Sequence, residues 1–158
     1  MKSHISNVAT FMSLAGQPVP SCPVIPPKED LILRAKLIME EAHELIDGLG
    51  ITIRAASTVY GGDSIRDKPL YYEISHDFDP VAVMDGAADL LWVGVSGTAV
   101  MCGLAEKLPA IIDEVDRSNL SKFVDGHRRD DGKWVKGPSY SPANISEIIG
   151  DVNKRVLN

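Results

Sequence analysis

The stretch Leu33–Leu49, LRAKLIMEEAHELIDGL, decides the fold. Counting from Leu31, the residues Leu31, Ala35, Ile38, Ala42 and Leu45 recur at steps of four and three, the stripe of an amphipathic helix. Pro27 suits an early helical position, and Glu29 and Asp30 complement the N-terminal dipole. Gly48 stops the helix. Within it Glu40, Glu41 and Glu44 are one, three and four apart, so at about 100° per residue they share one side. A solvated acidic face is the ordinary reading of such a group. Leu33 and Leu37, however, fall on the same side one and two turns earlier, opposite the main stripe. A helix apolar on two sides is expected to be buried on two sides. Three carboxylates pointing into an interface need compensation, and divalent cations supply it.

A second helix is expected over Val81–Leu104, opened by Asp79 as N-cap and Pro80 as first helical residue. Asp85 and Asp89 are four apart and are the only charged residues between Pro80 and Gly103. In α-helical winding Trp92, Ser96, Ala99 and Gly103 continue their face, which places the Trp92 indole where it can stack on a purine or simply fill a core. The apolar run after Asp89, Leu90–Leu104, has 15 residues, short of the ~20 that a bilayer requires. Gly94, Ser96, Gly97 and Gly103 suit close helix packing, so the expectation is a buried helix of a soluble bundle and no membrane. Either a Lys or Arg from a neighbouring helix or a metal must balance the two acids. Hard oxygen donors without His or Cys select Mg²⁺ or Mn²⁺ over zinc, and such ions commonly serve phosphoryl chemistry.

The remaining chain fits one domain spanning 1–158. Hydrophobic residues make up 44 % and charged residues 24 %, which excludes disorder as the main state. Sixteen Lys and Arg against 22 Asp and Glu give a net charge of −6, which argues against a nucleic-acid-binding face. Cys22 and Cys102 are too few for a disulfide framework and suggest a reducing compartment; with no signal-peptide pattern, the expected location is the cytoplasm. A short helix is expected over Ile5–Ala15, an extended connection over Gln17–Pro27, and a helix from Pro109 to about Val124. Ile51–Val83 reads as a long irregular insertion, with a little helix near Ile53–Val59 and a short strand at Leu70–Ile74. Asp131-Gly132 predicts a tight hairpin turn, and Ser141-Pro142 the start of a last helix through Ile149. The fold class is therefore all-α, a helical bundle with a long inter-helix insertion and a short C-terminal hairpin. On the Pro109–Val124 helix, Asp116, Asn119 and Phe123 share a face with Ile112, expected to point inward, and Lys122 flanks it. Asn119 and Lys122 are candidates for substrate phosphate, with Lys133 and Lys136 beside the hairpin as further cations.

Four blocks in this order, LRAKLIMEEAHELIDGL, DGAADLLWVGVSGTAVMCGL (Asp85–Leu104), DEVDRSNLSK (Asp113–Lys122) and DGKWVKGPSYSPANISEII (Asp131–Ile149), together with the N-terminal VATFMSLAGQPVP, resemble the all-α nucleoside triphosphate pyrophosphatases. That superfamily includes MazG-like enzymes, dimeric dUTPases and phosphoribosyl-ATP pyrophosphohydrolases; the nearest likeness is to the phage-type MazZ branch, associated with dGTP breakdown. The resemblance implies a Mg²⁺-dependent hydrolase of phosphoric anhydrides, turning a (d)NTP and water into (d)NMP and diphosphate. It implies two or more ions held by Glu40, Glu41, Glu44, Asp85 and Asp89. A water activated by the metal would be the nucleophile, with Glu41 or Glu44 as base. It further implies Asn119 and Lys122 on the substrate, a dimer or tetramer, and bacterial or phage-infected host cytoplasm. The chain departs from the MazG form at Gly86, where that form carries an acid, and in the longer stretch between the two acidic blocks. Two other readings stand beside it. His76-Asp77 is an HD pair, as in HD-type phosphohydrolases, but His4, His43 and His127 lack supporting context. A helical oligomeric interaction module would salt-bridge its acids across subunits and need no metal.

Overall fold

Five prolines between Gln17 and Pro27 withhold backbone donors and keep that segment extended. Helix α1 (Lys2–Leu14) precedes it and helix α2 (Lys28–Gly48) follows, with Pro27 just ahead of the first helical residue. The structure, a computed structural model, describes residues 2–55 and 69–150. Of these, 57 % are helical and 11 % lie in strands, the latter in two small antiparallel pairs. After α2 come β1 (Ile51–Ala55), β2 (Leu70–Ile74), α3 (Pro80–Asp89), a π-helical segment (Leu90–Gly97) and α4 (Thr98–Met101). A 3₁₀ turn (Ala105–Lys107), α5 (Leu108–Ser121), β3 (His127–Arg128), β4 (Trp134–Val135) and α6 (Ile145–Ile149) complete the chain. The backbone divides into two units, one formed by the chain up to Lys28 and from Ser96 onward, the other by Glu29–Val95.

The first unit holds the well-buried apolar residues. Ile5, Val8 and Met12, three and four apart on α1, are buried together with Val24, Ala99, Val100, Met101 and Leu108. The proline-rich segment is tied in by Val24 N–H, which donates to the Cys102 carbonyl at 3.1 Å. Ser96, 1 % exposed, meets His4 Nε2 at 2.9 Å, so its buried hydroxyl is satisfied. At the other end, Glu114 and Arg117 form a two-pronged pair at 2.8 Å on α5. Glu114 also accepts from Asn144 N–H, and Arg117 also donates to the Pro142 carbonyl. These bonds hold residues 142–144 against α5, so α6 begins at Ile145 and not at Ser141-Pro142 as expected. Lys107 Nζ closes that helix by donating to the Ile148 and Ile149 carbonyls, both at 2.7 Å.

The second unit is built on a close helix pair. A Cβ at Gly86 would lie 2.8 Å from Leu45 N, and one at Gly48 would lie 2.8 Å from Val83 N. The backbones of α2 and α3 therefore approach to contact, and the pairing of 48 with 83 and 45 with 86 makes them antiparallel. Asp79 Oδ1 accepts from Val81 N and Ala82 N, and with Pro80 behind it opens α3 as expected. Gly50, at φ +77°, turns the chain from α2 into β1; its N–H donates to Asp47 O at 2.7 Å and its carbonyl accepts from Ser75 N at 2.9 Å. β1 then pairs antiparallel with β2, Ile51 opposite Ile74 through Ala55 opposite Leu70. Residues 53–55 are thus strand where a little helix was expected; the rest of that expected helix, 56–59, lies outside the described residues. The alternation Ile-Thr-Ile, β-branched throughout, favours the strand once β2 offers a ladder.

Three further expectations are corrected. The single long helix over Val81–Leu104 is interrupted, because Leu90–Gly97 winds with i→i+5 bonds. α5 ends at Ser121, three residues early, where the chain turns toward the C-terminal hairpin. α2 is not buried on both sides within this chain: Leu31, Leu33 and Ala35 are exposed, and Leu37, Ile38, Ala42 and Leu45 are half-buried. The hairpin itself forms as expected, with Arg129 N donating to Lys133 O and Gly132 at φ +84° in the turn.

Candidate metal centre

The Gly86–Leu45 contact places the acidic groups. Glu41 and Glu44 lie on α2 just before Leu45, and Asp85 and Asp89 lie on α3 on either side of Gly86. A side chain at residue 86 would hold the two helices apart, since even a Cβ there meets the Leu45 backbone. Glu41 is half-buried, while Glu40, Glu44, Asp85 and Asp89 are exposed. Burial pushes the Glu41 carboxyl above its usual range, and the charges of Asp89, Glu44, Glu40 and Asp85 push it further, in that order. The other four expected ligands thus all act on Glu41. Among the described residues, none of the five has a Lys, Arg or His within ion-pair distance. The cation that would have explained Asp85 and Asp89 as a structural pair is absent from the described part of the molecule. Among the described residues, no three His, Cys, Asp or Glu side chains converge tightly enough to hold a metal ion as they stand.

Arg34 is 7 % exposed and donates Nη1 to the Val93 carbonyl at 3.1 Å. Its partner lies in the π-helical segment, whose wider winding also removes the α-turn spacing that set Trp92 in line with Asp89. Trp92 is half-buried. The HD pair is otherwise engaged: His76 Nε2 meets Asp47 Oδ1 at 3.2 Å and Nδ1 meets the Asp77 carbonyl at 3.0 Å. The Asp77 carbonyl, then the Asp47 carboxylate, hold the His76 imidazole above its usual range. Neither ring nitrogen is left for a metal in this arrangement. His76 serves to fasten the end of β2 to the end of α2.

The expected phosphate contacts fall in the first unit. Asn119 is exposed, not inward-facing, and accepts at Oδ1 from Lys122 Nζ at 2.7 Å. Asp116 and Phe123 are exposed on the same side. Trp134 folds back from β4, donating Nε1–H to the Lys122 carbonyl at 2.6 Å and packing at a 42° tilt against Phe123 with ring centroids 4.7 Å apart. Lys136 Nζ sits 4.0 Å above the centre of the Tyr140 ring. The Ser118 hydroxyl bond, then Lys136, hold the Tyr140 phenol below its usual range. Lys122, Lys136 and Tyr140 therefore gather at one end of α5. Lys133 is exposed in the turn, with its N–H on Asp131 Oδ1.

Sequence reasoning missed a concavity in the second unit, between the last turns of α2 and β1. It is lined by His43, Glu44, Ile46 and Asp47 with Ile51, Thr52 and Ile53, and has a volume of about 390 Å³. Its signal in the sequence was the β-branched alternation at 51–53, which places a strand beside the acidic helix. Among the described residues no single helix is long and apolar enough to cross a membrane. No family model matches the chain, and no curated protein matches it at a significant level.

Proposed function

We propose that this chain is a Mg²⁺-dependent nucleoside triphosphate pyrophosphohydrolase of the MazG-like all-α type. It would convert a (d)NTP, chiefly a purine nucleotide such as dGTP, and water into (d)NMP and diphosphate. One observation carries this reading: four carboxylates from two touching helices act on a fifth, Glu41, with no cation from the described residues to balance them. Hard oxygen donors alone fit Mg²⁺, or Mn²⁺ in its place, and five acids suit two or more ions. Glu40, Glu41, Glu44, Asp85 and Asp89 would hold them, their side chains drawing together on binding. Bound Mg²⁺ supplies charge neutralisation to a triphosphate and acidity to water. Glu41, whose raised affinity for a proton suits it to act as base, would receive the proton of the attacking water, with Glu44 beside it. Asn119, Lys122, Lys133 and Lys136, all in the first unit, are retained as candidate phosphate contacts in their own right, the ammonium groups as point charges.

The same proposal includes a homo-oligomer, a dimer or a tetramer. Leu31, Ile32, Leu33 and Met39 on α2, with Val81 and Met84 on α3, remain exposed in the single chain. The second side of α2, expected to be buried, would be covered by another copy. The test is diphosphate release from a panel of NTPs and dNTPs with and without Mg²⁺. Release that requires the ion supports the reading. No release from any nucleotide, from a protein of correct helical content, overturns it in favour of an interaction module.

A further inference from the structure

The His76 ring stands between two oxygen acceptors. Nε2 meets Asp47 Oδ1 at 3.2 Å, and Nδ1 meets the Asp77 carbonyl at 3.0 Å. A carbonyl and an ionised carboxylate accept hydrogen bonds and donate none. A neutral imidazole carries one N–H and one lone pair, so it can satisfy only one of the two oxygens and must turn its lone pair against the other. The imidazolium donates from both nitrogens and satisfies both. The observed arrangement is therefore that of the charged ring. The charged groups that act on the ring are Asp77, from the connection between β2 and α3, and Asp47, from the last turn of α2, both acidic. β1 meets the same connection through the uncharged Thr52 hydroxyl, which donates to Ser75 Oγ at 2.8 Å.

We propose that His76 is a pH-operated latch that ties the β1–β2 ribbon to the end of α2. The latch needs no nucleotide and stands apart from the proposed reaction. His76 lies two residues beyond the end of β2, and Asp47 one residue before the end of α2. Beside their contact, Ser75 N–H donates to the Gly50 carbonyl and Asp79 N–H to the Gly48 carbonyl, each at 2.9 Å. His43, Glu44 and Asp47 form the α2 wall of the concavity, and Ile51, Thr52 and Ile53 form the wall from β1. The Asp77 carbonyl, then the Asp47 carboxylate, hold the imidazole above its ordinary value of 6.5. Below 6.5 the ring is charged and both bonds are made. As pH rises through the higher value at which the folded ring loses its proton, one bond must go. The Asp77 carbonyl belongs to the next residue in the chain and stays close, so the bond to Asp47 is the one released. The two walls of the concavity then lose a tie one turn from Glu44. The His76 and Asp47 side chains are 44 % and 75 % exposed, so the latch sets the local position of the ribbon and adds little to the stability of the fold.

The test is an NMR titration of the full ¹⁵N-labelled chain, free of divalent ions, from about pH 5 to pH 8. The His76 ring protons should titrate with a midpoint above 6.5. The amides of Asp47 and of Ile51–Ile53 should shift with the same midpoint. Relative to its intrinsic rate, the Ser75 amide should exchange several-fold faster above that midpoint than below it. Asp47→Asn should lower the His76 midpoint and shrink the shift at Ile51–Ile53 several-fold, and His76→Gln should abolish that shift. The proposal falls on the parent chain alone if His76 titrates at or below 6.5, or if the Ile51–Ile53 amides do not follow it. It falls as well if Asp47→Asn leaves the midpoint where it was. A shift at Ile51–Ile53 that persists in His76→Gln would overturn it in favour of His43, the other imidazole at the concavity.

Discussion

Two charged regions of this chain are built in opposite ways. At the end of α5 and in the hairpin beyond it, the charges come with partners. Arg117 grips Glu114, Arg129 meets Asp131 at 2.9 Å, Lys122 bonds Asn119, and Lys136 rests on Tyr140. On α2 and α3, five acids share one neighbourhood and no described residue answers them. Partnered charges need no ligand to account for them. Unanswered charges at a helix contact oppose the folded state unless something from outside relieves them. The first arrangement suits a scaffold whose charges are already balanced; the second suits a site completed by what it binds.

The sharpest way to break this contrast is to remove one acid from each helix. Glu41→Gln and Asp89→Asn should each lower turnover by about 10²-fold or more, with helical content by circular dichroism unchanged. Near-normal turnover in both would place the acids outside the chemistry. Next comes the contact that assembles the site. Gly86→Ala puts a methyl group against the Leu45 backbone, which cannot swing aside as a side chain could. It should cost about 1–3 kcal/mol in denaturant unfolding. The partnered region should respond in the other manner. Lys122→Ala should lower kcat/KM about ten-fold, roughly 1.4 kcal/mol, with little change in Tm. Trp134 would be untouched, because it bonds the Lys122 carbonyl, not its side chain. A loss of Tm with full activity in the surviving protein would make Lys122 structural.

Two smaller effects concern pH. The folded Glu41 carboxyl titrates above its ordinary value of 4.5, so its contribution to stability is lost as pH rises through 4.5 toward that higher value. Metal-free Glu41→Gln at neutral pH should therefore melt a few degrees above the parent, and Mg²⁺ should close the gap by stabilising the parent more. Glu114 runs the other way. Arg117, then the Asn144 N–H, hold its carboxyl at about 2 against an ordinary 4.5. Its contribution is present above 4.5 and fades as pH falls toward 2. The Asn144 amide should lose its hydrogen-bonded chemical shift in that interval, and in Glu114→Gln the shift should show no such titration.

What could be read from the sequence was local. Asp79-Pro80, Gly48 and Asp131-Gly132 each specify a helix start, a helix stop or a turn through bonds to residues a few positions away, and each stands where expected. The acidic spacing was legible for the same reason: three- and four-residue steps fix a side of a helix. β1 was missed because its partner lies across the insertion, and the short β-branched run at 51–53 decides for a strand only once that partner is in place. The π winding of Leu90–Gly97 has no comparable spacing signal, so α-helical spacing was extended through it to Trp92. α6 was started too early because the Glu114–Arg117 pair, remote in sequence, claims the backbone at Pro142 and Asn144. Asn119 was placed inward on periodicity alone, and it is exposed among the described residues.

The helix contact also bears on how this sequence can drift. At Gly48, Gly50 and Gly86 a single added carbon meets main chain: Val83 N, the His76 carbonyl and Leu45 N respectively. No rotamer change elsewhere can make room for it, so compensation by a second mutation is closed off in a way that it is not for a core leucine. In a saturation library selected for folded protein, these three columns should stay nearly pure while Leu33, Met39 and Met84 admit many residues. The spacing of the acids is inherited through atoms that are missing, and it would be lost at the first substitution to restore one.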